Sequence, residues 1–200
     1  MEDRIATLNR ETGETKITAT VNLDGSGKYD VETGNGFLDH MISQLSRHGL
    51  FDITLRAQGD LETGSHHLTE DIAISLGQTF RKALGEIRGI RRMGYALVPL
   101  DETLVRVVVD WSGRGYAVVE TALDGQTIDN VLAGDQIKHF FERFGIDGEM
   151  NLHAHVLYGS DPHHKAEALF KALARALRDA VEPDPRALGQ IPSTKGSLSQ

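Results

Sequence analysis

Gly64-Ser65-His66-His67-Leu68-Thr69-Glu70-Asp71 is matched late in the chain by Ser160-Asp161-Pro162-His163-His164-Lys165-Ala166-Glu167. Each stretch places two adjacent histidines just ahead of a glutamate, at the head of an apolar-periodic segment. Ile72, Leu76, Phe80, Ala83 and Ile87 follow Glu70, while Ala166, Leu169, Phe170, Leu173 and Leu177 surround Glu167. These spacings predict helices from His66 to about Glu86 and from His163 to about Val181. Ser65 reads as an N-cap, and Asp161-Pro162 as an N-cap followed by proline in the first turn.

On a helix, His66 or His67 and Glu70 share one face, as do His163 or His164 and Glu167. Imidazole and carboxylate suit Mn, Fe, Ni or Zn. A helix N-terminus disfavours imidazolium, so the rings are expected to be neutral and ready to ligate. Adjacent histidines point in different directions, so one pair can serve two metals. Duplication at two capped helix starts favours metal binding over ordinary surface histidines.

Composition narrows the field. Two hundred residues with 40% hydrophobic and 25% charged side chains can bury a substantial core. A net charge of -8 and a pI near 5.5 argue against a nucleic-acid partner. Neither a membrane-spanning run nor a signal pattern at Met1-Glu2-Asp3-Arg4 is evident, so a cytoplasmic protein is expected. Cysteine is absent, which leaves only nitrogen and oxygen ligands for a metal.

In chain order, Arg4 to Leu8 and Lys16 to Leu23 read as strands, with Lys28 to Thr33 as a hairpin partner of the second across Asp24-Gly25-Ser26-Gly27. A short helix from Phe37 to His48, closed by Gly49, precedes a strand from Phe51 to Ala57. The second half repeats the plan. Tyr95 to Val98, Thr103 to Asp110, Tyr116 to Thr121 and Asn151 to Tyr158 are expected strands, with a helix around Gln136 to Phe144. Ser112-Gly113 answers Ser26-Gly27, and His139 answers His40. Such self-similarity means two copies of one unit. The expected fold is α+β: two tandem copies of one unit, each a mostly antiparallel sheet with helices on one face. Residues 1–92 and 93–182 form the units and 183–200 a tail, all in one compact domain. The basic run Arg91-Arg92 between the halves invites an anion. The hydroxyl-rich Ser193-Thr194-Lys195 of the tail is either a frayed end or a phosphate clamp.

Over essentially its whole length the chain resembles imidazoleglycerol-phosphate dehydratase in its monofunctional form. The resemblance rests on Leu23-Asp24-Gly25-Ser26-Gly27, Phe37-Leu38-Asp39-His40-Met41, His48-Gly49-Leu50-Phe51-Asp52, both His-His pairs with their glutamates, Ser112-Gly113-Arg114, His139-Phe140-Phe141 and Ile191-Pro192-Ser193-Thr194-Lys195-Gly196. It implies two Mn2+ per active site, held by His40, His66, His67, Glu70, His139, His163, His164 and Glu167. It implies that the two units are of the βαβα type, and that the chain forms a homo-oligomer of twenty-four subunits built from trimers, with active sites between subunits. The implied reaction is dehydration of D-erythro-imidazole-glycerol phosphate to imidazole-acetol phosphate, a step of histidine biosynthesis. The metals would bind the substrate imidazole(ate), whose electron push expels the hydroxyl. Glu14 and His48 carry over as catalytic residues, Gln44 as a substrate contact, and Arg92, Arg114, Ser193 and Lys195 as the phosphate clamp. His153, His155 and Trp111 read as structural. Two rival classes use the same residues: a dinuclear phosphate-ester hydrolase, which would release phosphate, and a metal-stapled structural particle, which would need no phosphate clamp.

Overall fold

The computed structural model describes residues 3–59, 62 and 64–198; Met1, Glu2 and the last two residues of the expected tail lie outside this set. The first half runs β1 (Ile5–Glu11), β2 (Thr15–Asn22), β3 (Tyr29–Glu32), α1 (Gly36–Gly49), β4 (Asp52–Gly59) and α2 (His66–Leu84). The second runs β5 (Met93–Leu100), β6 (Thr103–Asp110), β7 (Tyr116–Glu120), β8 (Thr127–Ile128), β9 (Leu132–Ala133), α3 (Gly134–Asp147), β10 (Asn151–Tyr158) and α4 (Pro162–Val181). The sheet orders β1-β2-β4-β3 and β5-β6-β10-β7 are the same plan twice. The α+β fold and its tandem repeat are as the sequence implies.

Alternation builds both sheets. Thr15, Ile17, Ala19 and Val21 of β2 face inward, as do Val105, Val107 and Val109 of β6. Each sheet is covered by the helices of its own half, α1 and α2 on one, α3 and α4 on the other. The helix layers then pack crosswise, α1 against α4 and α2 against α3. Gly77 makes the second crossing close, since a Cβ there would lie 2.6 Å from the Phe144 carbonyl oxygen. Phenylalanines from both halves fill the centre. Phe51 meets Phe80 at 5.1 Å, Phe80 meets Phe144 at 5.6 Å, and Phe140 meets Phe170 at 4.9 Å between ring centroids. Edge-to-face and tilted contacts of this kind add to simple area burial.

Three expectations change. Lys28–Thr33 does not fold back on β2: β3 pairs in parallel with β4, with Val31 opposite Leu55. Its counterpart β7 pairs in parallel with β10. The chain therefore passes over an edge that β4 or β10 later fills, a choice made by long-range burial and not by the turn. Gly49 does not cap α1; it is the last helical residue, and Leu50 takes the left-handed conformation at φ 58°. Gly49 packs flat on the Phe51 ring, where a side chain would collide. Ser65 makes no capping bond and gives its hydroxyl to Gln136 of α3 at 2.8 Å. Asp161, by contrast, caps α4 as expected, accepting from the His163 and His164 amides. A cap of this type is worth about 1 kcal/mol. The hairpin β8–β9 has no counterpart in the first half; Asp129 and Asn130 form its turn, both at positive φ.

Candidate active site

The crossed helices bring six of the eight expected ligands into two groups. His40 of α1 meets His163 and Glu167 of α4, and His66 and Glu70 of α2 meet His139 of α3. In each group one ligand atom per residue lies within 4.8 Å of the others. Each group therefore combines the two halves of the chain. Glu167 Oε2 stands 3.2 Å from His40 Nε2 and 3.1 Å from His163 Nε2. Glu70 Oε2 stands 3.4 Å from His139 Nε2, and the His66 and His139 rings stack at 5.0 Å. His139 Nε2 is buried and has no hydrogen-bond partner among the described residues, although it faces a carboxylate. A buried acceptor left in that state carries a cost that a cation between the two groups removes. The donor sets thus fit a divalent ion of intermediate softness.

His67 and His164 stay outside both groups. His67 Nδ1 lies 3.7 Å from Glu14 Oε2, at the turn joining β1 and β2. His164 Nδ1 lies 2.7 Å from Glu102 Oε2, at the matching turn joining β5 and β6. The repeat is obeyed here too: Glu14-Thr15 and Glu102-Thr103 occupy one position in two copies. Asp71, buried beside Glu70, anchors the Glu14 turn. It accepts from Thr15 Oγ1 at 2.5 Å and pairs with Arg10 at 2.8 Å.

The carboxylates reverse one electrostatic expectation. Burial penalises the His163 imidazolium, yet Asp129 (2.5 Å from Nδ1) and Glu167 outweigh it and raise the pKa. Glu102 raises that of His164. These two rings are therefore more basic in the metal-free chain than the helix dipole alone predicts. Burial opposes ionisation of Glu167, but Lys171 (2.6 Å), His40 and His163 hold its carboxyl down at about 2. His48 moves the other way. Burial, helped by Lys171, lowers its pKa, and its Nε2 lies 3.1 Å from Gln44 Oε1. Gln44 in turn reaches His40 Nδ1 at 3.4 Å, so Gln44, His48 and His40 run along one face of α1.

Arg92, Arg114, Ser193 and Lys195 line a single cleft of ≈ 570 Å³ with Gln190, Ile191, Pro192 and Thr194. The tail is ordered against the body: the Gly89 amide donates to Gln190 O, and Ile90 bridges to Pro183. Arg92, at φ 71°, forks onto Asp110 at 2.7 and 2.9 Å and donates to Pro192 O at 2.5 Å. None of the clustered histidines lines this cleft. Glu14 lines a separate one of ≈ 360 Å³ with Thr12, Lys16 and Gln58. Trp111 is fully buried, as packing demands, while His153 and His155 stack at 6.4 Å on β10. Sequence reasoning missed Glu102, Asp129, Asp110 and Lys171. Glu102 left a trace as the second Glu-Thr step of the repeat, and Asp129 as part of an Asp-Asn turn signal.

The sequence profile of imidazoleglycerol-phosphate dehydratase matches residues 33–177. The chain belongs to the imidazoleglycerol-phosphate dehydratase family. The dehydratase of Dehalococcoides mccartyi is 53% identical over 201 residues, covering 99% of each chain. That of a Roseiflexus species is 54% identical over 195 residues, covering 98% of each. The crystal structure of the Staphylococcus aureus dehydratase superposes with a TM-score of 0.80 at 32% identity, covering 90% of this chain and 99% of that one. That of Pyrococcus furiosus gives 0.78 at 32%, covering 94% and 99%. The chain is thus a hydro-lyase, and its family links it to imidazoleglycerol-phosphate dehydration in histidine biosynthesis. No described helix is long and apolar enough to cross a membrane.

Proposed function

We propose that the chain dehydrates D-erythro-imidazole-glycerol phosphate to imidazole-acetol phosphate at a dinuclear manganese site completed between copies of itself. The carrying observation is the three-plus-three division of histidines and glutamates, with the second histidine of each pair lying outside its group and facing a turn glutamate. Three protein ligands leave room for a fourth and for substrate on an octahedral ion. His67 and His164 sit outside the groups of their own chain, so a neighbour's group is the fitting destination for each. The phosphate cleft and the Glu14 cleft are likewise separate on one chain. Assembly into a large homo-oligomer, twenty-four subunits in trimers, would unite them, and metal would then stabilise the assembly by mass action. The reading takes residues 1–92 and 93–182 as the two units, with 183–200 closing the phosphate cleft. A cytoplasmic setting suits a small biosynthetic enzyme of this kind.

When bound, manganese supplies Lewis acidity that favours the substrate imidazolate. The chain does the rest. Arg92, through the guanidinium N–H groups that Asp110 and Pro192 leave over, and Arg114 offer donors to phosphate oxygens, and Ser193 and Lys195 close over them. Asp110 fixes the Arg92 fork in advance, so little side-chain freedom is lost on binding. Gln44 and His48 extend from His40 toward the substrate. Glu14, half exposed with its carboxylate 3.7 Å from His67 Nδ1, would take and return the proton on the carbon chain. The deciding experiment is turnover by chelator-stripped protein before and after Mn2+ addition, with free phosphate measured alongside. Ketone formed only with metal, and no phosphate released, supports the reading. Phosphate released instead would point to an ester hydrolase.

A further inference from the structure

The repeat puts a Glu-Thr step against the second histidine of each pair, but the two copies are built differently. Glu14 has its carboxylate 3.7 Å from His67 Nδ1 and is more than half exposed. Glu102 is fastened from several sides. Its Oε1 accepts from the Ser160 and Asp161 amides, both at 2.9 Å, and from the Thr103 hydroxyl at 2.9 Å, while its Oε2 meets His164 Nδ1 at 2.7 Å. An ionised carboxylate can only accept, so Nδ1 carries a proton, and in the neutral ring Nε2 keeps its lone pair. Among the described residues, the carboxylate recorded near Nε2 is the exposed Asp101, at 3.8 Å, beyond hydrogen-bond distance.

We infer that Glu102 is a positioning residue: it fixes the Nδ1–H tautomer of His164 and aims Nε2 outward as the completing ligand for a divalent metal held by another copy of the chain. The inference rests on the metal reading above and deepens it. Duplicated turns have diverged, one carboxylate kept loose for proton transfer and the other locked to orient a ligand. Carboxylates behind metal-bound histidines fix ring orientation and raise ligand basicity, and their loss typically weakens metal binding 10- to 100-fold.

Glu102→Gln isolates this role. The amide oxygen can still accept from Ser160 and Asp161, but the new NH2 group donates toward Nδ1 and drives the proton to Nε2. Chelator-stripped full-length protein is titrated with Mn2+, and free metal is followed by its paramagnetic resonance signal. Wild type is expected to bind two ions per chain. Glu102→Gln should weaken one of the two sites about 10- to 100-fold and leave the other unchanged. His164→Ala should weaken the same site, and adding Glu102→Gln to it should cost nothing more, a non-additivity that a merely structural role would not produce. Wild-type affinity at both sites in Glu102→Gln, or additive losses in the double variant, would overturn the assignment. Absence of Mn2+ binding by wild type would instead remove the metal reading beneath it. A nitrogen–proton correlation spectrum of metal-free wild type at alkaline pH needs no variant: a proton on Nε2 of His164 overturns the proposal, and one on Nδ1 supports it.

Discussion

His66 opens α2 in the first half of the chain and His139 lies in α3 of the second, yet their rings stack 5.0 Å apart and 21° from coplanar. Glu70, on the same helix as His66, brings its Oε2 to 3.4 Å from His139 Nε2. Removing His139 should therefore disable one metal group while sparing the other. His139→Ala is expected to bind one Mn2+ fewer per chain and to lose at least ~100-fold in turnover, since loss of a direct ligand costs no less than loss of its support. Metal content by atomic emission, read beside activity, checks this. Full metal content in the variant would remove His139 from the ligand set.

Glu14 offers the sharpest test of chemistry separated from binding. Glu14→Gln retains the shape and the Thr12–Thr15 turn beneath it. Turnover should fall by ~10²–10⁴-fold, the usual contribution of a positioned acid or base. Mn2+ content and KM should hardly move. An unchanged kcat would take Glu14 out of the mechanism.

The helix faces, the repeat and the metal-type residues were legible because each is a local pattern. HHxxE at a helix start needs only the helix period to place His66 beside Glu70. The partner of each group was not legible. Nothing local to His40 says that α1 will cross to α4 and meet His163 and not the nearer His66. The parallel β3–β4 pairing was hidden for the same reason, since β4 does not yet exist when the chain turns at Gly27. The β8–β9 hairpin escaped notice because two-residue strands carry no periodicity, although Asp129-Asn130 is a turn signal in hindsight. An anion at Arg92 and a clamp at Ser193 and Lys195 were each readable as possibilities, but their union in one cleft was read from resemblance; no spacing rule brings Arg92 to Lys195.

Lys195→Ala should weaken substrate and leave metal alone. A charge-assisted contact to phosphate is worth ~1.5–3 kcal/mol, so KM should rise ~10- to 100-fold with a smaller change in kcat. Inorganic phosphate, as a competitive inhibitor, should weaken in parallel. An unaltered KM would mean that the cleft binds something other than the substrate phosphate.

Asp24 gives a pH signature remote from the active site. Hydrogen bonding to the Arg4 guanidinium, opposed by partial burial, lowers its pKa, and Arg4 also donates to Val181 O at the end of α4. A depressed carboxyl pKa stabilises above the unfolded value of about 3.9 and loses that contribution as pH falls through the folded one. Asp24→Asn should lower Tm by about 2 °C at pH 7, from an exposed-pair contribution of ~0.5–1 kcal/mol. The gap between variant and wild type should close below about pH 4. A gap that persists in acid would mean Asp24 acts through its backbone turn and not through its charge.

Crosswise packing of the two halves carries a lesson about ancestry. A half-length chain, with one sheet and two helices, could not have assembled either three-residue group alone, because each needs the first helix of one unit and the second helix of the other. Two such half-chains related by a twofold axis would have made both groups at once, as identical sites. Fusing two such copies would turn a concentration-dependent encounter into an intramolecular one. It would also free the two sites to differ, which equal copies of one gene product never could. The loose Glu14 and the fastened Glu102 are what that freedom looks like in the present chain.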